Sequence, residues 1–212
     1  ACFGKESDIY ITDPKMMKPV LVDKDQEPVL QENYQAIADE LEAAGMPVDK
    51  ASMEVWYKYA CEANGKLYSV LFQQNTETHT TDYTYEKGTP PQNAYEIAIT
   101  PMIADPLGVD IGDTVTIDFG TEKRDCVVTA LFQTMNQLGK VGRLHEEAPT
   151  SMKYSTTMPG FQVDFSDHPD EKEIRTRVKK IKELYGITGV FDAAGYCVDC
   201  MGVGDTMDTV CL

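Results

Sequence analysis

The sequence predicts an α+β protein, because a strand–helix–strand order occurs near each end of the chain and further strands lie between. The first such order spans residues 7–72 and the second spans residues 160–191. Apolar residues recur at helical spacing over several turns in only two stretches, whereas short apolar or alternating runs recur along the whole chain. A chain of 212 residues can bury a substantial core in one domain or in two small ones.

The first helix and its preceding strand are predicted from a change of period. Residues 7–12 alternate between apolar and polar side chains, which predicts a strand. From Gln31 the spacing becomes helical, and Gly45 with the following proline predicts the end of the helix.

A β-hairpin is predicted next. Residues 52–61 alternate again, and Asn64-Gly65 is a strong hairpin signal because both residues tolerate positive φ. A two-residue turn at this point would set Cys61 opposite Tyr68 in the returning strand.

The middle of the chain is predicted to be rich in strands. Residues 73–93 contain Thr, Tyr, Gln and paired prolines, which indicates a loop or a boundary. Strands are expected near 95–99, 113–119 and 125–133. Residues 134–158 have few periodic apolar positions and are expected to form an irregular connection or a mobile surface segment.

The second helix is predicted from an apolar stripe with matching terminal charges. Asp167 is expected to cap the helix and Pro169 to occupy its first turn. Acidic residues come early in the helix and lysines come late, in agreement with the helix dipole, and Gly186 ends it. A strand at 160–165 precedes the helix, and a short strand near 189–191 follows it.

The acidic composition argues against nucleic acid as a partner. The net charge is −16, and both nucleic acid and anionic lipid headgroups are bound chiefly by Lys and Arg. Such a charge would attract cationic peptides, although solubility alone is the commoner reason for it. No apolar run approaches the roughly 18 residues that a membrane-spanning helix needs.

The cysteines include one pair at a spacing used by redox and metal sites, Cys197 and Cys200. A thioredoxin-like site would need further strands downstream, and a structural zinc site would need about four ligands. Neither requirement is met by the surrounding sequence, so we expect a local disulfide or two free thiols. No metal or cofactor is predicted.

Two further groups of side chains are candidate sites. Either His79 or His145, the latter followed by two glutamates, could act as a base or a ligand, but solvated loop residues are the expectation because no nucleophile is arranged around them. Aromatic residues are dense in two stretches and could form a sugar or peptide platform; packing across a sheet is the expectation. They are Trp56, Tyr57, Tyr59, Tyr83 and Tyr85.

One segment carries a family resemblance. Residues 96–104 read Glu-Ile-Ala-Ile-Thr-Pro-Met-Ile-Ala, residues 107–117 read Leu-Gly-Val-Asp-Ile-Gly-Asp-Thr-Val-Thr-Ile, and a strand follows from Cys126. This pattern resembles the extracytoplasmic domain of FtsX-like permeases, the membrane subunits of MacB-type ABC transporters. Thr129-Ala130 departs from the family, which usually has glycine after the two valines.

The resemblance implies a particular domain organisation. A discontinuous α/β "porter" subdomain would consist of residues 1–75 plus 160–205, and a β-rich "Sabre" insert would consist of residues 80–155. Both chain ends would meet on the membrane-proximal side, with Asp8 and Asp205 on one side of the molecule and Cys2 and Cys211 near each other.

The resemblance also implies a function without catalysis. The domain would lie on the extracytoplasmic side of the cell membrane between two transmembrane helices that this chain lacks. A cytoplasmic ABC ATPase would move those helices, and the motion would export a peptide or lipid-like substrate or reach an extracellular partner. A second permease copy or subunit would complete the transporter. Two alternatives stay open: a stand-alone extracellular module that binds ligands on its acidic surface, and a small enzyme that uses Cys197 and Cys200.

Overall fold

Ten strands form one connected sheet, and three α-helices of seven residues or more lie in the part of the chain that is described. The computed structural model describes residues 7–13, 15–16, 27–134, 136–156 and 160–196. The helices are α1 (Glu27–Ala43), α2 (Pro101–Leu107) and α3 (Glu171–Tyr185). The strands are β1 (Ile9–Ile11), β2 (Val48–Ala63), β3 (Lys66–Asn75), β4 (Lys87–Gly88), β5 (Glu96–Ile99), β6 (Thr114–Asp118), β7 (Lys123–Leu131), β8 (Val141–Leu144), β9 (Gly160–Phe165) and β10 (Val190–Asp192).

Six of these strands close into a ring. Going round it, β2 pairs with β3, β3 with β8, β8 with β5, β5 with β7, β7 with β6, and β6 pairs back with β2. Side chains that point into the ring are buried, among them Tyr59, Phe72, Ile99 and Ile117. Helix α2 contributes Ile103 and Leu107 to the same core. The ring is therefore a small filled β-barrel.

The remaining strands extend the sheet from the first half of β2. Strand β9 pairs with β2, β1 pairs with β9, and β10 pairs with β1, all antiparallel. Ile9 lies directly opposite Val163, so strands from the two ends of the chain are neighbours. Helices α1 and α3 bury Leu41 and Ile181 against this part of the sheet.

The two long helices are tied to each other and to the sheet by side chains. The Tyr185 hydroxyl donates to the Glu40 carboxylate over 2.5 Å, which joins the C-terminal ends of α3 and α1. Arg177 is buried in α3, where it pairs with both oxygens of Asp167 and lies 4.6 Å from the centre of the Phe165 ring.

Several sequence predictions are confirmed by these elements. The mixture of helices with a many-stranded sheet is the predicted class. The hairpin turn has positive φ at Asn64 and Gly65, and Cys61 pairs with Tyr68 as expected. Gly186 ends α3 with φ of 61° in the left-handed region.

Three expectations were wrong. Residues 134–158 are not only an irregular connection, because they contain β8, which is buried along its whole length. The N-cap of α3 is Asp170, whose side chain accepts from the Glu173 N–H, while Asp167 is engaged with Arg177. His145 is buried rather than solvated.

Some predicted features fall outside the described residues. They are the Cys197–Cys200 pair, the termini with Cys2 and Cys211, and Asp205. Among the helices that are described, none combines the length and the apolar character needed to span a bilayer.

Candidate functional site

A cluster of polar side chains lies on the outer face of the sheet, where the ring meets β9. Alternation along β2 sends Val55 into the core and therefore sends Glu54 and Trp56 to the opposite face. Trp56 pairs with Gln73 of β3, and Gln73 pairs with Arg143 of β8, so these side chains share that face. The cluster thus depends on strands that are far apart in sequence.

Glu54 is the acceptor at the centre of the cluster. It is 7% exposed, and its Oε2 accepts from the side-chain amides of Gln73 and Gln162, each over 2.7 Å. Its Oε1 accepts from the Trp56 indole N–H, also over 2.7 Å. Burial raises the pKa of Glu54, while these three donors and the charge of Arg143 oppose the rise.

Arg143 lies beside Glu54 and is surrounded by aromatic rings. It is 4% exposed, and its guanidinium carbon lies 3.8 Å from the ring centre of Tyr83, 4.4 Å from that of Phe132 and 5.4 Å from that of Tyr85. Nη2 approaches Gln73 Oε1 at 3.5 Å, but Nε and Nη1 have no hydrogen-bond acceptor among the described residues. This cation is therefore stabilised mainly by ring faces.

Residues 78–85, which we call the strap, cross the outer face and bring Tyr83 and Tyr85 onto Arg143. A 3-10 turn at Thr80–Asp82 sets the direction of the strap, and the Tyr85 hydroxyl donates back to Thr80 O over 2.8 Å. Burial raises the pKa of both tyrosines. Beyond the strap, β4 pairs with β7.

A carboxylate between two imidazoles joins the strap to the turn after β8. Glu146 Oε1 lies 2.6 Å from His79 Nδ1, and Glu146 Oε2 lies 3.5 Å from His145 Nε2. The hydrogen bond and charge of Glu146 raise the pKa of His79. Burial acts to raise the pKa of Glu146, but hydrogen bonds from His79 and from its own backbone N–H, together with the two histidines nearby, lower it overall.

The protonation of His145 limits what this group can do. The Glu147 N–H donates to His145 Nδ1 over 3.1 Å, so Nδ1 holds the lone pair and Nε2 carries the proton. That proton faces Glu146, which leaves no lone pair there for a metal ion. Across the described part of the chain, no group of three or more His, Cys, Asp or Glu side chains is arranged to hold a metal.

The two described cysteines are unsuited to thiolate chemistry. Cys61 and Cys126 are buried inside the ring with free thiols, and burial raises the pKa of each to about 12. At neutral pH both are thiols rather than the nucleophilic thiolate.

The predicted aromatic residues divide into two groups. Tyr57 and Tyr59 stack inside the ring, with centroids 5.5 Å apart, so the packing interpretation is confirmed for them. Trp56, Tyr83 and Tyr85 instead belong to the outer cluster. Glu54 and Arg143 were not predicted; a lone charged residue inside an apolar strand was their only signal in the sequence.

Comparisons with known proteins support the fold. No protein-family model matches the sequence, and none of the curated proteins matches it by sequence. The structure is similar to the periplasmic region of MacB from Actinobacillus actinomycetemcomitans, with a TM-score of 0.53 and 9% identity over 97% of this chain and 94% of that chain. The extracellular domain of the noncanonic ABC-type transporter YknZ from Gram-positive bacteria aligns with a TM-score of 0.44 and 6% identity, over 86% of this chain and 89% of that chain.

The similarity to MacB extends over almost all of both chains, so it concerns the whole architecture rather than a shared hairpin or helix. Function is argued separately, because a fold at this identity does not determine it. The chain has the fold of the periplasmic region of MacB, and the resemblance predicted from residues 96–133 is thereby confirmed at the level of fold.

Proposed function

We infer that this chain is the extracytoplasmic domain of an ABC transporter permease and that it has no catalytic role. The observation that carries this proposal is the fold match to a periplasmic transporter region, which covers 97% of this chain and 94% of the other. The segment at residues 96–133, which resembles FtsX-like permeases, supports it independently of the fold.

In this proposal, a cytoplasmic ABC ATPase drives transmembrane helices that flank the domain, and the domain transmits their motion. The stiff parts are α1 and α3, which are joined through Glu40 and Tyr185. Strand β2 then runs without a break from the β9 pairing into the closed ring. The motion would act on a peptide or lipid-like substrate or on an extracellular partner.

The same proposal gives each of the two subdomains a different role. Residues 1–75 plus 160–205 would form the porter-like part that is driven, and residues 80–155 would form the Sabre-like part that projects away from the membrane. Because β2 and β3 also line the ring, the two parts would move as one body rather than about a hinge.

The proposal is tested by the sidedness of the full-length gene product in cells. In a variant with Cys2, Cys197, Cys200 and Cys211 replaced by serine, Leu138→Cys introduces a thiol at a position that is 82% exposed. We expect a membrane-impermeant maleimide to label this variant in intact cells or spheroplasts. The matched control, Ile117→Cys, is fully buried and should react only after denaturation.

The alternatives give different results in the same preparation. A stand-alone binding module would be recovered in the medium or in the soluble fraction, whereas a permease domain stays with the membrane and co-purifies with an ATPase subunit. Labelling of Leu138→Cys only after cell lysis would contradict an extracytoplasmic location. Reduction of insulin by the purified domain, lost in the Cys197→Ser, Cys200→Ser variant, would favour the enzyme alternative.

A further inference from the structure

We propose that the strap, residues 78–85, is a proton-linked cover that opens and closes as a unit over Arg143 and Glu54. This proposal concerns the domain itself and holds whether or not the transporter assignment is correct. It depends on how the strap is attached, on what lies beneath it and on the groups that hold it closed.

The strap is attached to the rest of the molecule by side chains. Its described backbone hydrogen bonds are local, with Asp82 N–H donating to His79 O and Tyr83 N–H donating to Thr80 O. Fixed backbone pairing lies just outside it, where Thr76 N–H donates to Met53 O and Glu86 N–H donates to Leu131 O. The two ends are thus anchored while the segment between them can lift as one piece.

Side chains of the strap hold it down, and one of them is the buried Thr80 hydroxyl, which donates to Pro91 O. His79 pairs with Glu146, Asp82 lies 3.5 Å from Lys50 Nζ, and the Thr78 hydroxyl donates to Ser52 Oγ over 3.3 Å. The largest contact is the packing of the two tyrosine rings on the Arg143 guanidinium. Two of these attachments are ion pairs in which the strap residue, His79 or Asp82, is exposed and its partner, Glu146 or Lys50, is half-buried.

The groups beneath the strap favour opening when the attachments weaken. Two nitrogens of Arg143, Nε and Nη1, have no acceptor among the described residues, and solvent would supply acceptors once the strap lifts. Glu54 would regain hydration at the same time. The closed state therefore buries two charges that water would otherwise stabilise.

The closed state takes up protons. His79 is faced by Glu146, Asp82 and Lys50, and its pKa is raised. Protonated His79 therefore stabilises the closed strap fully when the pH is below the ordinary pKa of histidine. This stabilisation is lost as the pH rises through the raised pKa of His79. Glu146, faced by His79 and His145, has a lowered pKa, so the pair is also lost in strong acid. The raised pKa of Glu54 acts in the same direction as that of His79. Closure is thus expected in mild acid and opening above neutrality.

The single tryptophan of the chain, Trp56, reports on the strap because Trp56 and Tyr85 pack against the same small apolar cluster, which includes Phe132. We expect acrylamide quenching of Trp56 to rise about twofold between about pH 5.5 and about pH 8.5 while the far-UV circular dichroism stays constant. In His79→Gln the higher quenching should already be present at the acid end. His168→Asn, which removes an exposed histidine elsewhere, should follow the wild type.

Hydrogen exchange provides a second measurement on the same proteins. After correction for intrinsic rates, amides of the strap should exchange faster at the higher pH and in His79→Gln, while those of β2 do not change. Quenching that is independent of pH would overturn the proposal. So would a His79→Gln curve identical to that of the wild type, or a rise that coincides with loss of the far-UV signal.

Discussion

Glu54 illustrates how one buried carboxylate can organise several strands. Its three hydrogen-bond partners are all donors, and the Trp56 indole cannot be reoriented to accept. The amide oxygen of each glutamine already has its own donor, since Gln73 Oε1 faces Arg143 and Gln162 Oε1 accepts from Asn75. Both glutamines therefore present their NH2 groups to Glu54. An acceptor with two oxygens is therefore required at position 54.

Glu54→Ala should lower the free energy of unfolding by about 3 kcal/mol, because it leaves three hydrogen-bond donors without their acceptor and the buried Arg143 without its neighbouring negative charge. Glu62→Ala, at an exposed position on the same strand, should lower it by less than about 0.5 kcal/mol. Urea denaturation followed by circular dichroism measures both. Equal losses in the two variants would contradict the role given to Glu54.

Asp13 contributes to the stability of the fold with a pH dependence opposite to that of His79, because its pKa is lowered rather than raised. Its carboxylate accepts from the backbone N–H groups of Gly189, Lys15 and Thr188, which hold its pKa below the ordinary value. The ionised carboxylate of Asp13 therefore stabilises the fold fully when the pH is above the ordinary pKa of aspartate. This stabilisation is lost as the pH falls through the lowered pKa of Asp13.

Asp13→Ala should therefore destabilise the protein by about 1 kcal/mol near neutral pH, with a smaller difference from the wild type below about pH 3.5. Urea titrations at several pH values measure the difference, with exposed Asp49→Ala as the control. A difference that grows on acidification would show that the carboxylate is not the stabilising form.

At the scale of elements, two glycines serve different purposes. Gly186 ends α3 at a positive φ with open space where a Cβ would lie, so alanine there should cost about 1 kcal/mol of backbone strain. In β8, a Cβ on Gly142 would overlap the Phe72 ring inside the barrel, so alanine should cost about 3 kcal/mol. Thermal unfolding of the two variants compares them, and a larger loss at Gly186 would be inconsistent with this packing.

The elements that the sequence predicts well are those with a clear period. Helices α1 and α3 and the β2–β3 hairpin have one solvated side, so their polar and apolar residues alternate visibly. Strand β8 has no such pattern because both of its faces are covered, one by the core and one by the strap. The central residues of β8, Gly142 and Arg143, are therefore typical of a loop when only the sequence is considered.

The polar cluster could not be predicted for a related reason. Glu54, Gln73, Arg143 and Gln162 come from four strands, and they meet only because the ring closes and β9 pairs with β2. Local spacing contains no information about such pairings. A family resemblance supplies the fold, but the positions that converge on one face require the structure.

At the scale of the whole molecule, β2 is the shared element. Its 16 residues pair with β9 at one end and with β6 at the other, while β3 runs along its second half. We expect the slowest hydrogen exchange among the described residues at positions 60–62 of β2, where β3 lies on one edge and β6 on the other. Exchange followed by NMR tests this expectation, and slower exchange in α1 than in β2 would contradict it.

The pairing of β1 has a consequence for the order in which the chain folds. Both of its neighbours, β9 and β10, come from the far end of the sequence, and Asp8 N–H donates to an Asp164 oxygen 156 residues away. During synthesis, Ile9 and Ile11 have no partner strand until β9 and β10, at residues 160–192, have left the ribosome. Such long-range closure is slow and leaves apolar residues open to aggregation. Cells that make this protein would therefore need to keep β1 shielded until its partner strands β9 and β10 have been made.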